Sequence, residues 1–311
     1  MRTRINLTSN LLMAMILFVS CNSKDIMPAT ENQQSIIVKA DVVKAAKAGY
    51  ETDVLLPEKF VMDIVQGRDR YNYTMVEMSK KDDSNEYSAP EGIDLLWADD
   101  EHDATVKAMT VPFGLSAVDA ENPMTVAVCL DQSDEDNVAA SDLLGATSET
   151  GGGITITSDN INVEFKHLLS KLLVKYSIGS EFNSSPVSVN FLTLNGVCVE
   201  GEYSYANMDY VSEGDEYDDI TMFHDASSKT AEAIFFPYKP VSNPSLLLNV
   251  TIDGVEYNFT CPVAPKGSDG FVGGKRYILN VSIVGSQVSG TTASIAVGWD
   301  NNTEDKSFVT E

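Results

Sequence analysis

Residues 246–259 read LLLNVTIDGVEYNF. Two runs rich in apolar, β-branched and aromatic residues flank Asp253-Gly254. A type I′ turn needs positive φ at both central residues, and Asp-Gly supplies it, so the stretch predicts a β-hairpin. The same grammar extends in both directions. Residues 276–283 (RYILNVSI) and 293–299 (ASIAVGW) follow as strands. Upstream, 171–178 (KLLVKYSI) puts Leu172, Val174, Tyr176 and Ile178 on one face, and 187–194 alternates as well. The first half offers 35–40 (SIIVKA), 59–65 (KFVMDIV), 71–76, 105–113 ended at its Pro, and 125–130. Residues 138–144 predict one short helix, and Gly151-Gly152-Gly153 a break. Many short strands with turn signals between them, and no long 3.6-residue period, mean an all-β protein built of sandwiches.

Length and charge narrow this further. The chain has 311 residues, enough for two domains of ordinary size. We therefore expect two sandwiches, over residues 35–160 and 161–311. Lys and Arg number 21 against 46 Asp and Glu, a formal net charge of −25. Such a chain cannot neutralise phosphates, which excludes a general nucleic-acid binder and disfavours docking on anionic lipid.

The N-terminus reads as an export signal. Arg2 and Arg4 precede the apolar run LLMAMILFV at 11–19, too short to span a bilayer comfortably. It ends Phe18-Val19-Ser20-Cys21, which resembles a bacterial lipobox despite Phe18 in place of the usual Leu. The expectation is a signal peptide over 1–20, an acylated Cys21 (diacylglycerol and a fatty acyl chain such as palmitate), and a polar tether over 21–34.

The chemistry-bearing residues are sparse. There are three His and four Cys. With Cys21 acylated, Cys129, Cys198 and Cys261 remain, an odd number set among apolar residues and without metal or redox spacing. His167 shares a strand face with Phe165 and Leu169, as a core histidine would; His102 and His224 lie in acidic, exposed-looking stretches. No Ser/His/Asp or Cys/His motif surrounds them. The acidic runs 131–136 and 213–219 lack calcium-loop spacing and read as solvated loops. The tyrosines at 203, 205, 210 and 217 fit strand packing better than a carbohydrate surface. The expectation is no catalytic residue, no metal and no cofactor.

Four ordered segments then resemble the fimbrillin family of bacterial surface lipoproteins and pilus subunits. They are the leader ending at Cys21; Leu130-Asp131-Gln132 with ASDLLGA at 140–146; VEFKHLLSKL at 163–172; and FVGGKRY at 271–277 followed by the strand ending at Trp299. The resemblance implies two tandem transthyretin-like β-sandwiches, export as a lipoprotein to the outer-membrane surface, and a structural and adhesive role. It further implies a protease-triggered exchange in which the first strand leaves and a neighbouring subunit's strand fills the groove. Ile36, Ile37, Val38, Lys39 and Ala40 would be the removable strand. Lys47, then Lys44, are the favoured processing sites, with Arg68 and Arg70 next; the family's cut follows Arg, and the linker here carries only Lys. The implied partners are other fimbrillin subunits, the outer membrane through lipid on Cys21, and a host or glycan ligand. The other reading is a non-polymerising surface lipoprotein that binds glycan or host protein.

Overall fold

Burial alternates along the first strand, with Val38, Ala40 and Val42 inside and their neighbours outside. That period of two is what a pleated strand with one apolar face produces. It recurs through a computed structural model that describes residues 34–42, 56–82, 84–149, 151–182, 186–212, 214, 216–240, 244–264, 270–284 and, for the backbone alone, 287–296. The described residues belong to one compact unit, Gln34–Glu311.

The elements of the first half are β1 (Ile37–Val42), β2 (Lys59–Gln66), β3 (Tyr73–Lys80), β4 (Glu86–Ser88), β5 (Ala104–Met109), β6 (Met124–Ala127), helix α1 (Glu135–Ser141), β7 (Leu144–Thr147), β8 (Ile154–Ile156) and β9 (Asn160–His167). Ten more strands follow among the described residues. They are β10 (Ser170–Ile178), β11 (Val187–Ser204), β12 (Asp209–Tyr210), β13 (Glu216–Thr221), β14 (Phe223–Asp225), β15 (Thr230–Phe235), β16 (Ser245–Ile252), β17 (Val255–Pro262), β18 (Arg276–Val284) and β19 (Gln287–Ala296). The chain is all-β, as its sequence predicts.

One sheet runs β1-β4-β3-β2-β5-β7-β9-β8, and β1 also pairs with β9. The sheet therefore closes on itself around a core that includes Phe60, Met62, Met78, Val106 and Phe165. The Phe60 ring meets Phe165 edge-on at 5.0 Å and Tyr87 at 4.8 Å. A five-stranded sheet (β14-β15-β10-β18-β19) and a six-stranded one (β12-β11-β16-β17, with β13 and β6 also on β11) share a second core. Although β6 and α1 lie in the first half of the chain, they build this second core. Val126 and Val138 are buried in it, and β6 pairs with the far end of β11.

The 253–254 turn is as predicted: Asp253 has φ 50° and Gly254 φ 79°, with Ile252 opposite Val255. Two predicted elements shift. The helix lies at 135–141 rather than 138–144, because the Asp134 carboxylate caps it by accepting from Asn137 N–H at 2.8 Å. The strand expected at 187–194 runs on to Ser204 through two irregularities opposite β13.

Candidate assembly site at the first strand

Strand β1 is bound on both edges. It runs parallel to β9, from Ile37 opposite Asn160 to Val42 opposite Phe165. It runs antiparallel to β4, Val38 opposite Tyr87 and Lys39 opposite Glu86. Flanking bonds extend the seam: Ile36 N–H donates to Leu95 O at 2.9 Å, and Trp97 N–H to Gln34 O at 3.0 Å. Ile36, Val38, Ala40 and Val42 all point inward and are nearly inaccessible. Burial of each Val or Ile there contributes about 1.5–3 kcal/mol. Ile37, Lys39 and Asp41 face outward, with Lys39 Nζ 3.9 Å from Glu86. Without β1 the ring would show an apolar groove between β4 and β9 and two rows of unpaired backbone groups.

The predicted site residues fall in different places. Ile36, Ile37, Val38, Lys39 and Ala40 lie on the buried seam itself, and the structure extends it to Val42, which the sequence reading missed. Asp41 interrupts the apolar run, but as an outward-facing residue it does not interrupt the strand. Arg68 and Arg70 are exposed around a 3₁₀ turn (Asp69–Tyr71) between β2 and β3, with the Arg70 guanidinium 4.4 Å above the Tyr71 ring. A cut there would separate β2 from the hairpin it forms with β3. Cys21, Lys44 and Lys47 lie outside the described residues.

The other quoted motifs converge beside the second core. Gln132 is fully buried. Its amide donates to Cys129 O and Ile234 O and accepts from Ile234 N–H at 2.8 Å, so one side chain bonds β15 as a neighbouring strand would. Asp142, at the C-terminal end of α1, holds His167 Nδ1 at 2.8 Å. The His167 and Leu168 carbonyls lie against Gly274 and Gly273. A Cβ on Gly273 would collide with the Leu168 carbonyl and with Tyr210 Oη. Lys171 N–H donates to Lys275 O at 3.0 Å. The F-x-H and G-G-K segments are thus juxtaposed because their backbones approach closely, which requires glycine.

The remaining candidates have structural partners. His102 and His224, expected to be exposed, are half-buried: His102 packs edge-on against Trp97 at 4.9 Å, and His224 Nε2 lies 2.8 Å from Tyr176 Oη. Burial lowers the His224 pKa, with Asp225 opposing the shift. Cys129 is a half-buried free thiol, while Cys198 and Cys261 are buried with their Sγ atoms against the Glu200 and Pro262 carbonyls. Tyr203 and Tyr205 are core residues, while Tyr217 is exposed and packs edge-on against Tyr238 at 5.5 Å. Asp131 accepts from Ser133, which lowers its pKa, and Asp134 caps α1. Among the described residues no three His, Cys, Asp or Glu side chains gather to hold a metal.

Comparison with known proteins shows the family to which this fold belongs. The model of fimbrillin-like proteins matches residues 39–297. The chain belongs to the fimbrillin-like family. Family membership carries an adhesive, fimbrial-type role at the cell surface, in contact with other fimbrial subunits, and points to a structural protein. Solved structures share the fold. A candidate cell adhesion protein from Bacteroides uniformis is 18% identical, covering 86% of this chain and 99% of its own, with a TM-score of 0.59. Another from Bacteroides ovatus is 14% identical, covering 88% and 100%, with a TM-score of 0.62. No curated protein matches the chain.

Proposed function

We propose that this fimbrillin-like protein is an outer-membrane lipoprotein, acylated on Cys21, that enters a fimbrium by strand exchange. A protease cut after Lys47 or Lys44 frees β1, and a strand from a neighbouring subunit takes its place. The observation that carries the reading is the double pairing of β1 over an apolar interior. A strand so placed is costly to lose and must be replaced: main-chain bonds supply the affinity and alternate side chains the fit. Lys44 and Lys47 follow the end of β1 closely in sequence. We further propose that the mature chain works as two modules, the ring of β1–β5 and β7–β9 and the sandwich of β6, α1 and β10–β19, so that β9, expected beyond a boundary at residue 160, belongs with the first.

A second reading concerns position. Strand β19 pairs with β18 over nearly its whole length, which supports a subunit that keeps its last strand in its own sheet, at a fimbrial tip or as a non-polymerising adhesin with a glycan or protein ligand.

Limited trypsin digestion of the mature protein, with N-terminal sequencing and a non-boiled gel, tests both. One cut after Lys47 or Lys44 followed by a ladder of heat-labile multimers is the expected result for a shaft subunit. A cut without multimers assigns the tip. An uncut monomer overturns strand exchange and leaves the binding lipoprotein.

A further inference from the structure

A cleft of 340 Å³ opens at one end of the second core. Tyr210 and Val211 form one wall, Tyr238 and Lys239 a second, and Phe271 and Val272 a third. Tyr238 and Phe271 stack at 5.3 Å. Val211 and Val272 leave 48% and 40% of their surface exposed at the mouth, an apolar rim on a strongly acidic protein. The hydroxyls of Tyr210 and Tyr238 have no hydrogen-bond partner among the described residues. Lys239, also exposed, makes no ion pair among them.

The sheet register places the end of β19 beside this cleft. Ser170 at the start of β10 faces Phe235 at the end of β15, and Lys171 faces Arg276 at the start of β18. Ala296, the last residue of β19, faces Arg276 in turn. The cleft walls Pro237–Lys239 and Phe271–Gly273 leave β15 and enter β18 at this same end. Beyond Ala296 the sequence continues Val297-Gly298-Trp299-Asp300. Three residues of extended chain reach about 10 Å, while adjacent strands lie about 4.8 Å apart.

We propose that the cleft is the seat of the chain's own Trp299, with Asp300 toward Lys239, so that the C-terminal strand is locked into the module that contains it. Aromatic walls suit an indole packed face to edge, and an indole N–H needs an acceptor of the kind a phenol oxygen offers. Tethering favours the chain's own segment, whose local concentration is about millimolar over a short linker. A free sugar would meet mostly apolar wall. The proposal is independent of what happens to β1.

Difference fluorescence between the full chain and Trp299→Phe isolates Trp299 from Trp97. The expected emission is blue-shifted, with acrylamide quenching several-fold weaker than for free tryptophan. Val272→Arg, at the exposed mouth, restores quenching while circular dichroism stays native. Lys239→Glu weakens the protection, and adding Asp300→Lys restores it. Full quenching in the unaltered chain overturns the proposal, as does protection that survives Val272→Arg in a natively folded variant. Protection lost on dilution also overturns it, since the occupant is then a second copy.

Discussion

The first and last described strands bind their sheets in different ways. Strand β1 lies between two neighbours and seals a ring, whereas β19 lies at the outer end of its sheet and, among the described residues, pairs only with β18. A strand held on both edges fails all at once, because the loss of one edge opens the groove behind the other. A strand held on one edge can be shortened residue by residue. The ring is therefore the region in which losing one strand would open the whole core, and the outer strand is the region whose hold depends on a single edge and on what secures its end.

The largest effect should come from charging the seam. Val38→Asp puts a carboxylate where only 1% of the side chain is accessible, and should cost about 3–5 kcal/mol. Trp97 packs in the ring core, so its fluorescence should report an earlier denaturant midpoint for that core. A chain ended at residue 286 should leave this Trp97 transition in place; equal losses from the two changes would dissolve the contrast between the strands.

How much of this the sequence shows depends on how local the signal is. The 253–254 hairpin is legible because two residues decide it. Strand β1 is legible from Ile36 and Val38, but its partners are not. Its β9 neighbours lie more than a hundred residues away, and parallel pairing leaves no turn signature. Strand β15 (TAEAIF) is buried at every position, so its sequence carries no alternation by which to recognise it. The long β11 is obscured by irregularities that break its period of two. Gln132 carries only a motif resemblance until the structure places it against Ile234.

Gln132→Ala should cost about 2–4 kcal/mol, since it strips a buried N–H and two buried carbonyls of their partner. Chemical denaturation checks it, and the loss should fall on the second core, sharpening the division between the two regions. Gly273→Ala should cost about 1–3 kcal/mol by forcing Leu168 and Tyr210 apart, measured in the same way. The smallest effect is a pH dependence. Burial depresses the folded-state pKa of His224 below its ordinary 6.5, so its contribution is complete above that value. It is lost as pH falls through the depressed pKa. Melting temperatures taken from pH 7.5 downward should decline less in His224→Asn than in the unaltered protein.

The two edges of the β1 slot are chemically distinct. One is met parallel, at β9, and the other antiparallel, at β4. A replacement strand that restores both sets of bonds must run in the direction of β1. Each copy would then accept its neighbour in one orientation only, a heterologous contact that repeats without closing. Any filament built through that slot has a head and a tail, and its polarity is already present in a single folded subunit.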